Sequence, residues 1–292
     1  VNEHVSRRRF LRGTAVAAGA LLAADACSTG GQGPQAQVPM PRNASAAAGA
    51  GSSPLGASAA GSSVDADLLM QRYQLKPFPA PPAPPAVKPL QLDAANPSVI
   101  SNVPVGDQRI VFVTIDDGLE KEPAFVQMVK DFQVPFTLFL TDAIIKDNYG
   151  YFDDLLDTGH VTIQNHTMTH PSMTSLSAAA QLDQVAQQQE HLISEYGTAP
   201  YLFRPPYGNY NAATISALRQ TPGLKGCVLW RESMQIHDMQ YLNGRLNPGD
   251  VLLSHFRGPA QLKGENMVQM MTKLFEHVQA QGYTIARLTD YV

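Results

Sequence analysis

The sequence predicts an α/β fold, a distorted or incomplete (β/α) barrel of about seven mainly parallel strands with outer helices. Three observations carry that prediction. Short apolar runs recur through the second two thirds of the chain, longer segments with apolar residues at helical spacing separate them, and polar residues with chemistry to offer fall at the ends of the runs.

The runs at residues 110–115, 136–140, 161–164, 201–203, 226–230, 251–254 and 283–286 read as buried strands. Segments 122–132, 178–196, 211–220 and 266–281 carry the helical period, as in Leu182, Val185, Leu192 and Ile193. Such alternation gives parallel strands covered by helices. Seven strands with fewer helices fit an irregular barrel, with an open doubly wound sheet as the alternative. In either fold, chemistry gathers at the carboxyl ends of the strands.

This domain is expected over residues 103–292, roughly 190 residues and enough for one sizeable core. Residues 28–102 are rich in Ala, Gly, Ser and Pro and poor in residues worth burying, so they read as a disordered tether. Its proline-rich part, 77–89, favours extended polyproline conformations and makes a stiff spacer. Residues 1–27 have the layout of an export signal: Ser6, Arg7, Arg8, Arg9, Phe10 and Leu11 resemble the twin-arginine pattern, and a weakly apolar stretch follows. Cys27 ends that stretch as a lipoprotein processing site would, which offers membrane attachment through a lipid; simple cleavage near Ala26 is the competing outcome.

A net charge of -4 and a pI of about 6.1 offer no basic surface for a polyphosphate, so nucleic acid is not an expected partner. Two cysteines in different settings make no disulfide framework, and Cys227 reads as a small buried hydrophobe on a strand.

The candidate chemistry sits at four strand ends. Asp116 and Asp117, before Gly118, place two carboxylates that repel each other unless a cation or an arginine compensates. His166 and His170 are spaced so that one turn or compact loop can bring both imidazoles to one ion, and Asp117 supplies an oxygen ligand. Two imidazoles and a carboxylate suit zinc, and three protein ligands leave positions open for water and substrate. Arg204 precedes a rigid Pro205-Pro206-Tyr207-Gly208 turn, where its planar fork can hold a carboxylate and a backbone N–H after the prolines can face an oxyanion. His255 ends the apolar run Val251-Leu252-Leu253-Ser254, beside a metal and a base, as a proton donor.

Taken in order, 114–118, 166–170, 204–208 and 253–255 resemble the motifs of the polysaccharide deacetylases, carbohydrate esterase family 4 or the NodB-homology group, over about Arg109 to Val292. The resemblance implies a distorted (β/α) barrel and a divalent metal, zinc foremost, held by Asp117, His166 and His170. It makes Asp116 the base, Arg204 its orienting partner, the Tyr207 N–H an aid to the oxyanion and His255 the acid. The implied activity is removal of acetyl groups, N- or O-linked, from a cell-wall or extracellular polysaccharide by an exported monomer. One motif departs. After Trp230 the family usually has an aspartate and then an aspartate-tryptophan pair, where Ser233, Ile236 and His237 stand here; that aspartate keeps the acidic histidine charged, and Glu232 and Asp238 are the candidates to replace it. Two other readings stay open: a wall-associated metal- and glycan-binding protein with little turnover, and a zinc hydrolase acting on another bond such as a cyclic amide.

Overall fold

The computed structural model describes residues 64–292; the export segment, Cys27 and residues 28–63 lie outside them. In chain order the strands are β1 (Ser98–Ile100), β2 (Ile110–Asp117), β3 (Phe136–Leu140), β4 (Val161–Asn165), β5 (Leu202–Phe203), β6 (Gly226–Val228), β7 (Glu232–Met234), β8 (Met239–Gln240), β9 (Val251–His255) and β10 (Thr284–Ile285). They lie side by side as β1-β6-β5-β4-β3-β2-β9-β7-β8, with β10 also against β2. Every pair is parallel except the β7–β8 hairpin. The sheet curls into a half-barrel. The end of β1 and the residues after it stitch across its open side: Leu229 N–H donates to Ile100 O, Val251 N–H to Ser101 O and Val103 N–H to Gly249 O.

The helices are α1 (Ala66–Tyr73), α2 (Pro123–Phe132), α3 (Asp142–Ile145), α4 (Gly150–Leu156), α5 (Ala178–Tyr196), α6 (Ala212–Gln220) and α7 (Met267–Ala280). Local chemistry fixes their ends. Pro123 opens α2 where no N–H is needed, and Gln133 closes it in the left-handed region. Ser177 caps α5 by accepting from Ala180 N–H, and Gly197 ends it at φ 67°. Capping boxes start α6 (Asn211 with Thr214) and α7 (Asn266 with Gln269). The apolar faces of α2 and α7 meet in an aromatic core, where Phe275 lies 4.8 Å from Phe132 and 6.1 Å from Phe136 between ring centres. Cys227 is free and buried on β6, where burial pushes its thiol up to about 12.

Residues 64–102 correct the expected tether, because this part of it belongs to the folded domain. Asp65 caps α1 through Asp67 and Leu68 N–H, and Leu69 is wholly buried. The proline-rich stretch lies along the domain as a strap: Phe78 packs edge-on to Phe275, Thr284 Oγ1 donates to Pro79 O, and Lys88 Nζ donates to Thr289 O. Here a few well-placed apolar residues outweigh the average composition. The segments α1, α3, α4, β1, β7 and β8 are additions to the sequence-based expectation, all eight residues or fewer and too short for a periodic pattern to stand out.

Candidate metal centre and active site

Asp116 and Asp117 are the last residues of β2, and strict strand alternation would send their carboxylates to opposite faces. A left-handed backbone at Asp117 (φ 76°) breaks the alternation, so that His166 Nε2 lies 3.7 Å from Asp116 Oδ2 and 3.5 Å from Asp117 Oδ1. Gly118 continues the turn at φ 90°, where a Cβ would collide with Ile145.

His166 follows β4 and is buried. Its Nδ1–H donates to Arg204 O at 2.7 Å; a carbonyl can only accept, so Nε2 is left facing the carboxylates. His170 turns back at φ 59°, bringing its Nε2 3.1 Å from Asp117 Oδ1. One ligand atom each from Asp117, His166 and His170 lies within 4.8 Å of the others. Asp117 Oδ1 is buried without an aligned hydrogen bond. A buried carboxylate oxygen lacking an aligned donor, next to two imidazole nitrogens, fits a divalent cation. Burial alone would raise the Asp117 pKa, but the two imidazoles hold it well below the usual carboxylate range. For His166 burial pulls downward and the carboxylates of Asp116 and Asp117 prevail, raising it.

Arg204 follows β5 and is wholly buried. Its NH1 donates to Asp116 Oδ1 at 2.6 Å and to Thr114 Oγ1 at 2.7 Å, while Nε and NH2 reach the carbonyls of Val228 and Leu229. Four acceptors offset the desolvation of this charge and fix the Asp116 carboxylate in one orientation. Tyr207 (φ 60°) sits in the Pro206–Gly208 turn, whose own bonds use the N–H groups of Gly208 and Asn209; its side chain is exposed and its ring lies 4.8 Å from that of His170. Left-handed backbone at Gln74 and Gln133 ends helices, whereas at Asp117, Thr167, His170 and Tyr207 it surrounds this site. Backbone of this kind costs of order 1–3 kcal/mol per residue and persists only where the surrounding structure over-determines it.

His255 ends β9, paired in register with Asp116. Burial pushes its pKa down to about 4 despite the nearby Asp116 carboxylate, and its Nδ1 is buried with no hydrogen-bond partner. Neither candidate for the missing aspartate reaches it. Glu232 Oε2 accepts from Leu242 N–H, Glu232 Oε1 has no partner, and Asp238 is exposed and pairs with His277 at 2.9 Å. All seven residues singled out in the sequence therefore lie at one rim. Of the supporting polar residues, Thr114 falls within the 114–118 motif, whereas Thr141 (Oγ1–H to His166 O), Asn165 (Oδ1 accepting from Thr167 N–H) and Gln184 (Oε1 accepting from Thr169 N–H) were not singled out in the sequence.

The polysaccharide deacetylase family model matches residues 104–223. An uncharacterized protein of Streptomyces coelicolor is 35% identical over 199 residues, covering 67% of this chain and 78% of its own. The peptidoglycan-N-acetylglucosamine deacetylase of Bacillus cereus is 27% identical over 179 residues, covering 59% of this chain and 64% of its own. Among solved structures, a family 4 carbohydrate esterase pseudoenzyme from Bacillus anthracis superposes with a TM-score of 0.55 at 20% identity, covering 67% of this chain and 69% of its own. The chain belongs to the polysaccharide deacetylase family.

Proposed function

We propose that this protein is a metal-dependent hydrolase that removes acetyl groups from an acetylated cell-wall or extracellular polysaccharide. The observation that carries the reading is the convergence of Asp117, His166 and His170 on one point beside an Asp116 carboxylate fixed by Arg204. Zinc suits this donor set, and when bound it supplies Lewis acidity toward the acetyl carbonyl and toward water. Asp116, held in one orientation by the Arg204 guanidinium, takes the proton of the attacking water. The Tyr207 N–H, which takes no part in the bonds of its own turn, donates to the oxyanion. His255 gives a proton to the departing amine or alkoxide. The twin-arginine pattern at Ser6–Leu11 supports export, followed either by a lipid anchor at Cys27 or by simple cleavage near Ala26 and free release.

The unpartnered Nδ1 of His255 favours a second reading, a wall-associated metal- and glycan-binding protein with little turnover. Acetate release from chitooligosaccharides, peptidoglycan and acetylxylan, run with and without chelator, separates the two. Chelator-sensitive acetate supports the hydrolase, and metal retention without acetate supports the binder.

A further inference from the structure

The loop carrying both histidines has two non-glycine residues in the left-handed region, Thr167 at φ 72° and His170 at φ 59°. Something outside the loop must offset that strain. The end of β4 and the start of α3 do part of this: Thr167 N–H donates to Asn165 Oδ1, Thr141 Oγ1 donates to His166 O, and Ala143 N–H donates to Met168 O. None of these reaches the residue just before His170. That residue, Thr169, donates both its N–H (2.9 Å) and its Oγ1–H (3.2 Å) to Gln184 Oε1, while Met168 N–H donates to Gln184 O.

Gln184 belongs to a row of glutamines along α5. Gln181 Oε1 accepts from Thr214 Oγ1, Gln188 Nε2 donates to Leu140 O, and Gln189 Oε1 accepts from Asn165 Nδ2. Gln181, Gln188 and Gln189 are buried, and with Gln184 they recur at the three- and four-residue spacing of one helix face. A helix face normally filled with aliphatic side chains is here a polar rack, clamping the β3 and β4 strand ends and the loop between the two histidines.

We propose that Gln184 is a positioning residue for the metal centre: by holding Thr169 from both its polar groups it sets where His170 Nε2 stands relative to Asp117 and His166. This inference rests on the assignment of those three residues as metal ligands. Loss of the acceptor frees the loop to relax toward ordinary backbone angles, which moves His170 while His166 stays tied to Arg204 O.

The test uses the full chain, zinc affinity by competition with a chromophoric chelator, and the absorption spectrum of the cobalt-loaded protein. Gln184→Leu is expected to weaken zinc binding about tenfold and to shift the cobalt bands, and Gln184→Glu, which keeps the accepting oxygen, to restore both. Thr169→Val removes one of the two bonds without touching α5 and is expected to weaken binding about fivefold, so it reads the same contact if Gln184→Leu does not fold. Unchanged affinity and spectrum in Gln184→Leu, or in Thr169→Val where that is the variant read, overturns the proposal. So does a Gln184→Glu variant as weak as Gln184→Leu. A native protein that binds no zinc or cobalt would instead remove the ligand assignment itself, and the proposal with it.

Discussion

Supplying the missing carboxylate at Ser233 should turn His255 into an effective acid. In the sheet register Ser233 pairs with Leu253, and Leu253 with Thr114; two residues on, His255 pairs with Asp116. Side chains paired across parallel strands share a face, so Ser233 and His255 look into the same interior as diagonal neighbours. A strand spacing of about 4.8 Å and a two-residue rise of about 6.6 Å separate their α-carbons by roughly 8 Å, which an aspartate and an imidazole leaning together close to about 4–6 Å. An opposite charge at that range raises a pKa by about 1–3 units. Starting from about 4, the imidazole of Ser233→Asp should titrate between about 5 and 7. Its protonated fraction at pH 7 then rises from roughly one in a thousand to between one in a hundred and one half. The assay is kcat/KM for acetate release against pH: the limb set by the acid should move upward by at least about one unit, with a gain of about tenfold or more at pH 7. An unmoved profile, or the same gain from the uncharged Ser233→Asn, would refute the reasoning that a carboxylate is what His255 lacks.

Other expectations follow from the same contacts. Because the folded pKa of His255 lies below its unfolded value near 6.5, the unfolded chain binds the extra proton between about pH 6.5 and 4, so stability falls as pH drops through that window; His255→Asn should flatten this part of a denaturation-against-pH curve. Arg204→Met removes the buried guanidinium that pairs with Asp116 at 2.6 Å and should cost about 3–5 kcal/mol in urea unfolding. At Gly118 an added methyl meets Ile145 Cγ2 and stands 2.9 Å from Phe152 Cζ at φ 90°; Gly118→Ala should lose about 1–3 kcal/mol and weaken metal binding, read by thermal shift and metal titration. Leu69→Ala should destabilise the domain by about 2–5 kcal/mol, and a chain begun at residue 103 should melt well below one begun at residue 64.

The parallel sheet and its main helices were legible because long periodic segments average out local noise: the α5 span was read to the residue, and the β3 run likewise. Asp116, Asp117, His166, Arg204 and His255 could be picked out as candidates because they end or directly follow apolar runs, and a parallel sheet brings such ends to one rim. His170 and Tyr207 stand in the loops beyond β4 and β5 and were reached through spacing and the family resemblance. What escaped reading was short or polar. A composition window over the amino-terminal region hid α1, where one buried leucine and an aspartate cap suffice. Strands β7 and β8, three and two residues long, carry Glu232 and Gln240 and look like loop. The glutamine face of α5 reads as solvent-exposed, although three of its members are buried against strand ends and loops that only the folded topology brings near. The fate of the altered motif after Trp230 could not be read at all. Whether Glu232 or Asp238 faces His255 depends on a hairpin that turns one inward to Leu242 and the other outward to His277.

The central claim is that one divalent cation sits between a carboxylate and two imidazoles at the β2 and β4 ends. X-ray absorption on the zinc-loaded protein tests it directly. The account predicts one zinc per chain with two histidine nitrogens at about 2.0–2.1 Å and oxygen donors completing the sphere, and loss of one imidazole contribution in His170→Ala. Zinc bound without histidine scattering, or an identical spectrum in His170→Ala, would contradict it.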